Sequence, residues 1–237
     1  FYAFFIEPKW VEINRYKIKE NISSPLKIAH ISDLHIRAFK QKQVKILSLL
    51  QRENPDVILI TGDLVAENSN YAAVEAFLKQ LHAPLGIWVT QGNWEHWRPS
   101  DYAVYEAAGV IFLNNSAKQL KNEIWIAGID DVVGDPNVKE AIKDIPKDAF
   151  VIGLIHSPAF FNAITSYFPL VFAGHTHGGQ IRLPFLPPLW LPPGSGKYAA
   201  GWYHLKNSKM YVNKGLGTSV IDARFFCRPE IAIIEIS

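Results

Sequence analysis

The sequence has almost no cysteine, almost no net charge and no nucleotide-binding loop. A single cysteine, Cys227, is present among 237 residues, which excludes a disulfide framework and a cysteine-rich zinc site. The 24 basic and 22 acidic side chains give a formal net charge of +2, too even for a dedicated nucleic-acid-binding protein. No glycine-rich phosphate loop follows the first predicted strand, so a dinucleotide-binding or P-loop enzyme is excluded. We expect no nucleic-acid partner, and no motif points to a protein partner.

Long uninterrupted hydrophobic runs are missing as well. Residues 149–181 contain no Asp, Glu, Lys or Arg, but Pro158, Pro169 and His175 divide this stretch into a predicted strand, helix and strand. The apolar residues 1–6 are too few to span a bilayer. Because residue 1 is Phe rather than Met, we expect this segment to be the remainder of a removed anchor or signal, or an N-terminal strand.

Hydrophobic residues make up 49% of the chain, enough for a buried core. Their periodicity predicts strands that alternate with helices, as in an α/β sandwich. The predicted strands cover residues 27–32, 56–61, 85–90, 110–113, 123–128, 150–155, 170–173, 198–204, 209–213 and 230–236. The predicted helices cover residues 40–52, 70–81, 101–108, 136–143 and 157–167. We predict one domain over residues 1–237, with residues 1–25 as an N-terminal strand or anchor-proximal segment.

One segment is rich in proline and apolar residues. Leu183–Gly196 holds five prolines among Leu, Phe and Trp, a composition that excludes regular helix or sheet. Residues 183–204 are therefore predicted to form an apolar loop with an aromatic rim. An exposed apolar surface of this kind suits a lipid ligand, although a loop packed on its own core is the alternative.

Polar side chains that can bind metal ions follow five of the predicted strands, at the edge where open α/β sheets place their sites. These side chains are Asp33 and His35, Asp63, Asn93, His156, and His175 and His177. Each fragment alone is typical of an ordinary turn. Five such fragments at five strand ends together predict a metal site.

The donor types indicate which ions would bind. Oxygen and imidazole donors suit Mn²⁺, Fe²⁺ or Zn²⁺ better than Ca²⁺. Seven ligands are too many for one open catalytic ion but suffice for two if a carboxylate bridges them. We predict two divalent ions, with Mn²⁺ as the first choice and Fe²⁺ or Zn²⁺ as alternatives. Such a pair performs metal-assisted phosphoester hydrolysis.

The ordered set Asp33-x-His35, Gly62-Asp63, Gly92-Asn93, His156 and Gly174-His175-x-His177 resembles the calcineurin-like metallophosphoesterase family. The extended Gly-His-Thr-His-Gly-Gly-Gln of residues 174–180 and the Glu-Pro-x-Trp of residues 7–10 resemble a membrane-associated bacterial branch of it. The resemblance implies a four-layer sandwich, in which two mixed sheets are flanked by helices. It implies that Asp33, His35 and His177 bind one ion and that Asn93, His156 and His175 bind the other. Asp63 would bridge them, and Asp63, Asn93 and His156 would be the catalytic residues.

One departure from the family pattern concerns the third block. The family usually has His after Gly-Asn, thought to protonate the leaving group or steady the phosphate, whereas Trp94 stands here. Because a nucleoside monophosphate is a good leaving group, the missing acid favours pyrophosphate cleavage. His96 could replace the acid, although a rim or structural role is the favoured alternative.

A branch of the family with the same departure hydrolyses UDP-2,3-diacylglucosamine to UMP and 2,3-diacylglucosamine 1-phosphate in lipid A biosynthesis. We expect that reaction here, with a general phosphodiesterase or phosphatase, or a non-catalytic scaffold, as alternatives. The expected partners are the glycolipid-linked nucleotide and a bacterial membrane surface. The expected location is the cytoplasmic face of the inner membrane, with peripheral or N-terminal attachment. The candidate substrate-binding residues are Arg37, Trp94, His96, Arg98, Arg182 and Trp190.

Overall fold

Two mixed β-sheets form the centre of the computed structural model, which describes residues 1–67, 71–98 and 103–237. Within these residues the first sheet has six strands in the order β1-β12-β2-β3-β4-β5. Only the β12–β2 pair is antiparallel. The strands are β1 (Glu12–Ile18), β2 (Leu26–Ile31), β3 (Val57–Thr61), β4 (Ile87–Thr90), β5 (Ile111–Phe112) and β12 (Glu230–Ile236).

The second sheet of the described residues has the order β10-β11-β9-β8-β7-β6, with antiparallel pairs at its two edges and parallel strands between them. Its strands are β6 (Ser116–Lys121), β7 (Ile124–Gly128), β8 (Phe150–Leu154), β9 (Leu170–Ala173), β10 (Gly201–Leu205) and β11 (Ser208–Val212). The parallel strands β2, β3 and β4 of one sheet and β8 and β9 of the other carry the predicted metal ligands at their carboxyl ends.

Helices cover the outer face of each sheet. They are α1 (Gln41–Glu53), α2 (Tyr71–Leu78), α3 (Asn93–Trp97), α4 (Ala103–Ala107), α5 (Val138–Ile142) and α6 (Phe161–Ile164). Ile46 of α1 and Phe77 of α2 pack on the first sheet, while Ala141 of α5 and Phe161 of α6 pack on the second. The four-layer fold inferred from the sequence is confirmed.

The alternation of side chains along the strands explains the three hydrophobic cores that the described residues form. In β2, Leu26 and Ile28 point into the core between the sheets, whereas Ala29 and Ile31 point to the helices. Both faces are covered, so β2 and β3 are buried along almost their whole length. The core between the sheets joins residues from Leu26 to Ile236, which supports our proposal of one domain over residues 1–237.

Several predicted elements differ from the structure. The helix predicted over residues 157–167 is a 3₁₀ turn, Pro158–Phe160, followed by the one-turn α6. Residues 1–6 do not form a strand, because Tyr2–Ile6 form a single π-helical turn. β6 was not predicted, since its sequence SAKQLK is polar and lies at a sheet edge. The first residues of the helices predicted at 70 and 101 lie outside the described residues.

Candidate metal centre

The seven predicted ligands meet at one edge of the sandwich, where the two sheets bring their strand ends together. Five of them have backbones in the left-handed region, with φ between 45° and 71°: Asp33, His35, Asp63, His175 and His177. This conformation is strained for a side chain larger than glycine and is concentrated at functional sites. The turns after the strands thus aim the side chains at a common centre.

Two of the motif glycines are required by close packing. A Cβ on Gly92 would overlap the Oδ1 atom of Asp63 and the ring of His156. A Cβ on Gly174 would overlap Ser32 and the carboxylate of Asp33. Glycine at these positions therefore lets the turns of different strands approach one another until their ligands share one site.

One group of ligand atoms comes from Asp33, His35 and His177, whose donor atoms lie within 4.8 Å of one another. The Nε2 atoms of His35 and His177 are 3.1 Å apart, and their rings stack with an interplanar angle of 17°. His177 Nε2 lies 3.6 Å from Asp33 Oδ1. This group could hold one metal ion.

A second group faces the first. The Oδ1 atom of Asn93 lies 3.0 Å from His156 Nε2 and 2.9 Å from His175 Nδ1. The same two imidazole nitrogens are 3.2 Å apart. All three side chains are buried or nearly so. The group offers two nitrogens and one amide oxygen to a second ion.

Asp63 lies between the two groups. Its Oδ2 atom is 3.7 Å from His35 Nε2 and 3.3 Å from His156 Nε2, so one oxygen faces a histidine of each group. Asp33 also reaches both sides, because it forms a possible metal group with Asp63 and His156 as well as with His35 and His177. The geometry thus offers two carboxylates that could be shared.

Backbone carbonyls fix the protons of three imidazoles. His35 Nδ1 donates to Val65 O at 3.0 Å, and His156 Nδ1 donates to Thr61 O at 2.7 Å. His175 donates through Nε2 to Pro193 O at 2.7 Å. A carbonyl only accepts, so in each ring, when it is neutral, the other nitrogen presents its lone pair to the centre. This donor set of imidazole nitrogens, carboxylates and one amide fits divalent ions.

Burial controls the protonation of the centre. It lowers the pKa of His35 to about 4 and raises the pKa of Asp33 to about 7. Burial would also raise the pKa of Asp63, but the imidazoles of His156 and His35 and the Trp94 N–H hold it below its ordinary value. Burial and the neighbouring His35 lower the pKa of His177 well below its usual range. Neutral His35 and His177 can therefore donate lone pairs at neutral pH.

Two buried residues without a role in the sequence analysis support the ligands. The first is Glu95, whose carboxylate accepts the backbone N–H groups of Asp63, Leu64 and Gly92 at 2.7 to 2.9 Å. It thereby joins the turns after β3 and β4. Its position in the Gly-Asn-x-Glu block is the feature of the sequence from which a role at the site could have been predicted.

The second supporting residue is Arg224, whose side chain is completely buried. It donates to carbonyls of the segment behind His177, including Gly217 O at 2.7 Å and Lys214 O at 2.9 Å. Its Nη2 atom lies 3.4 Å from His177 Nδ1. No sequence motif surrounds Arg224, so only the structure assigns it this place.

A cavity of about 530 Å³ opens directly over the ligands Asp63, Asn93, His175 and His177. Its walls are largely apolar and include Trp94, Trp97, Val133, Ile181, Trp190, Pro192, Pro193, Val220 and Ile221. The segment of residues 183–196 is mostly exposed, and Phe185, Leu189 and Trp190 expose most of their side chains. The alternative of a loop packed on its own core is therefore wrong for these residues.

The candidate substrate-binding residues separate into different places. Trp94 and Trp190 line the cavity. Arg37 lies on another face, beside Asp222, with Nη1 2.6 Å from Oδ1.

Three further candidates, like Arg37, are absent from the cavity wall among the described residues. His96 is tied to Asp130, with Nε2 2.6 Å from Oδ1, an arrangement that favours the structural role over the substitute acid. Arg98 is exposed, 3.9 Å from Glu67. The backbone of Arg182 pairs with Phe225.

The comparisons with known proteins agree on one family. The calcineurin-like phosphoesterase family matches residues 26–179. The chain is 33% identical over 254 residues to the uncharacterized metallophosphoesterase YkuE of Bacillus subtilis, covering 99% of this chain and 88% of the relative. It is 28% identical to the phosphodiesterase YaeI of Escherichia coli over 257 residues, covering 99% and 92%. The crystal structure of TT1561 of Thermus thermophilus superposes with a TM-score of 0.52 at 14% identity, covering 81% of this chain and 91% of that one.

The predicted location at a bacterial inner membrane is wrong. No helix of the described residues is long and apolar enough to cross a bilayer, and the relative from Escherichia coli is named simply a phosphodiesterase. The apolar residues on which anchoring was predicted form one π-helical turn, and Tyr2 packs edge-on against Phe225 of the same chain.

The fold, the ligand groups and the relatives agree on one type of chemistry. The family matches nearly two thirds of the chain, and two groups of described residues could hold metal ions. A relative of which this chain covers 92% is named a phosphodiesterase. The chain belongs to the calcineurin-like phosphoesterase family and is a metal-dependent phosphoester hydrolase.

Proposed function

We propose that the chain cleaves the pyrophosphate of a lipid-linked nucleotide, with UDP-2,3-diacylglucosamine as the preferred substrate and UMP and 2,3-diacylglucosamine 1-phosphate as products. The observation that supports this proposal most directly is the apolar cavity over the metal ligands. A phosphoester hydrolase that acts on small water-soluble esters has no need of a wall built from three tryptophans, two prolines and aliphatic side chains.

The size and position of the cavity support a lipid chain. Its volume of about 530 Å³ falls within the range of small-molecule sites. Trp190 and Pro192 come from the proline-rich loop, and Val220 and Ile221 come from the segment between β11 and β12. The loop cannot collapse into regular structure, because its prolines forbid it. The acyl portion would lie between these walls, with the phosphates at the ligands below.

Trp94 supports pyrophosphate over ordinary esters. It occupies the position after Asn93, lines the cavity, and packs edge-on against His35 with ring centroids 5.6 Å apart. An indole cannot protonate a leaving alkoxide at neutral pH. A departing nucleoside monophosphate needs much less protonation, since its second pKa is about 6.

The proposed roles of the ligands follow from their places. Asp33, His35 and His177 would hold one divalent ion, Asn93, His156 and His175 the other, and Asp63 would contact both; Mn²⁺ is the proposed metal. When bound, such a pair supplies Lewis acidity at the phosphoryl group. Glu95 holds the turns that carry Asp63 and Asn93, so the ligands are positioned before substrate arrives.

A general phosphodiesterase is the second candidate, favoured by the relative YaeI, which is named a phosphodiesterase. A general phosphodiesterase would use the same metal ligands, but its substrate would place no lipid in the apolar cavity. A non-catalytic scaffold has less support, because every predicted ligand position holds a donor residue and the ligands converge.

The test is ³¹P NMR of UDP-2,3-diacylglucosamine incubated with the protein, Mn²⁺ and detergent, beside an EDTA control. We expect UMP and a lipid monophosphate to form only with metal. A parallel tube holds bis(4-nitrophenyl) phosphate. Cleavage of this ester alone, with the glycolipid untouched, would refute the lipid-linked substrate and leave the general phosphodiesterase.

A further inference from the structure

A second space adjoins the metal centre and differs from the apolar cavity in charge. It is an open groove of about 1020 Å³ lined by Lys9, Arg37, Lys40, Lys42 and Lys45. Among the described residues no Asp or Glu lines it. Asp222 forms an ion pair with Arg37, whose Nη1 atom lies 2.6 Å from its Oδ1, and its charge also acts on Lys42. The groove therefore carries excess positive charge in a chain whose net charge is only +2.

The groove reaches the metal centre through a ligand. His35 lines the groove, whereas His177, which stacks on His35, lines the apolar cavity. The segment of residues 217–221 separates the two spaces: Gly217 and Thr218 face the groove, and Val220 and Ile221 face the cavity. A substrate cleaved at the centre could thus place one end on each side of this segment.

Lys42 is the basic residue of the groove that most favours a bound anion. Its ammonium has no hydrogen bond or ion pair within the described part of the chain, and only the charge of Asp222 acts on it favourably. Burial, with Arg224 next, lowers its pKa to about 7. It stands in the first turn of the 13-residue helix α1, where the N–H groups of Gln41 and Lys42 precede the first intrahelical bonds. A helix N-terminus and an unpaired ammonium favour the same kind of ligand, an oxyanion such as phosphate.

We infer that this groove binds a phosphate-bearing polar portion of the substrate, which under the proposed function is the nucleoside phosphate. The inference rests on that function for the identity of the substrate, but the anion site itself rests on the groove. The apolar cavity would then hold the lipid portion, and the scissile bond would lie between them.

The first test uses the full chain without metal, in EDTA, so that the metal centre does not contribute. UMP is titrated while the backbone amide signals of residues 40–45 are followed by ¹H–¹⁵N NMR, with uridine as the ligand control. We expect UMP but not uridine to shift these signals. Lys42→Gln should weaken UMP binding about tenfold, because one charge-assisted contact is lost. Arg52→Gln, at the other end of the same helix, should leave binding unchanged.

Lys45→Gln replaces Lys42→Gln if the latter does not fold, and a similar weakening is expected. Unmoved amide signals, or equal UMP affinity in the Lys42 and Arg52 variants, would overturn the inference. So would tighter binding of a ten-nucleotide single-stranded DNA that Lys42→Gln abolishes, since the groove would then serve nucleic acid.

A second test separates this inference from the proposed function. In the metal-loaded protein, Lys42→Gln should lower the ratio of kcat/KM for the UDP-linked lipid to kcat/KM for bis(4-nitrophenyl) phosphate about tenfold. If wild-type protein cleaves no nucleotide pyrophosphate while UMP still shifts residues 40–45, the proposed function fails and the phosphate site stands. An unchanged ratio in an enzyme that cleaves the UDP-linked lipid contradicts the groove as a substrate site.

Discussion

At the scale of single residues, the shared carboxylate has the largest expected effect. Asp63 lies between the two ligand groups, with Oδ2 within 3.7 Å of His35 and 3.3 Å of His156. We expect Asp63→Ala to reduce turnover of any phosphodiester at least 10³-fold, because both proposed ions lose a ligand. Metal analysis should show fewer than two ions per chain. Asp148→Ala, an exposed carboxylate, is the control; normal turnover in the Asp63 variant would refute the shared role.

Substitution of Trp94 tests whether the missing general acid restricts the enzyme to substrates with good leaving groups. Trp94→His restores the family's usual residue beside His35, so we expect hydrolysis of esters with poor leaving groups to rise about 10²-fold. Pyrophosphate cleavage should change little. Trp94→Phe, which is apolar and cannot donate a proton, separates the acid from a change of packing. Equal rates for the His and Phe variants on all esters would contradict this explanation.

The ligand residues could be predicted because each follows a strand whose buried sequence is easy to identify. Asp33, Asp63 and His156 each come two residues after such a strand, and parallel strands bring their ends together. The left-handed backbone at Asp33 and Asp63 could not be predicted, since it results from the packing of several turns. The partners of Glu95 and Arg224 are mainly backbone groups, which any sequence supplies. Only the Gly-Asn-x-Glu block pointed to Glu95, and no pattern pointed to Arg224.

At the scale of elements, the connection between the turns after β3 and β4 depends on Glu95. Burial raises the pKa of this carboxyl, while three N–H groups donate to its oxygens at 2.7 to 2.9 Å. Glu95→Gln would place an NH₂ group against one set of donors. We expect it to lower the free energy of unfolding by about 3 kcal/mol and to weaken metal binding.

Urea unfolding and a metal titration measure these two effects. Glu106→Gln alters an exposed carboxylate on α4 and is the matched control, with an expected change below about 0.5 kcal/mol. Identical stability of the Glu95 and Glu106 variants would show that the bonds to the turns contribute little.

The proline-rich loop provides a prediction for substrate choice. Trp190 lines the apolar cavity, whereas Phe185 on the same loop is fully exposed at 105%. Trp190→Ser should lower the ratio of kcat/KM for the lipid-linked nucleotide to that for bis(4-nitrophenyl) phosphate about tenfold, because buried apolar area is lost. Phe185→Ser should leave the ratio unchanged. Equal effects of both variants would indicate general disturbance of the loop.

At the scale of the whole molecule, the core between the sheets contains a histidine that limits acid stability. His30 Nε2 lies 2.9 Å from Thr61 Oγ1, which in turn donates to Ser32 Oγ. Nε2 therefore carries the proton. Nδ1 has no partner among the described residues. Burial lowers the pKa of His30 to about 3. Below about pH 6.5 the unfolded chain therefore protonates this imidazole, whereas the folded protein keeps it neutral until far lower pH.

The unfolded chain gains this proton as the pH falls, so the cost to stability is absent above about pH 6.5 and grows below it. Between about pH 7 and pH 5, the wild-type protein should lose about 2 kcal/mol more unfolding free energy than His30→Gln. Denaturant unfolding of both proteins in EDTA at the two pH values measures the difference. Parallel pH dependence of the two proteins would show that His30 does not titrate in this way.

The order of strands in the first sheet has a consequence for synthesis on the ribosome. β1 is paired with β12, which in turn separates it from β2. Residues 12–18 are made early, yet their only partner strand among the described residues is Glu230–Ile236. β1 therefore has no partner strand while more than two hundred further residues are synthesised. During this time its backbone N–H and C=O groups are not paired with another strand. This sheet can therefore close only after residues 230–236 have been made, later than the pairing of β2, β3 and β4.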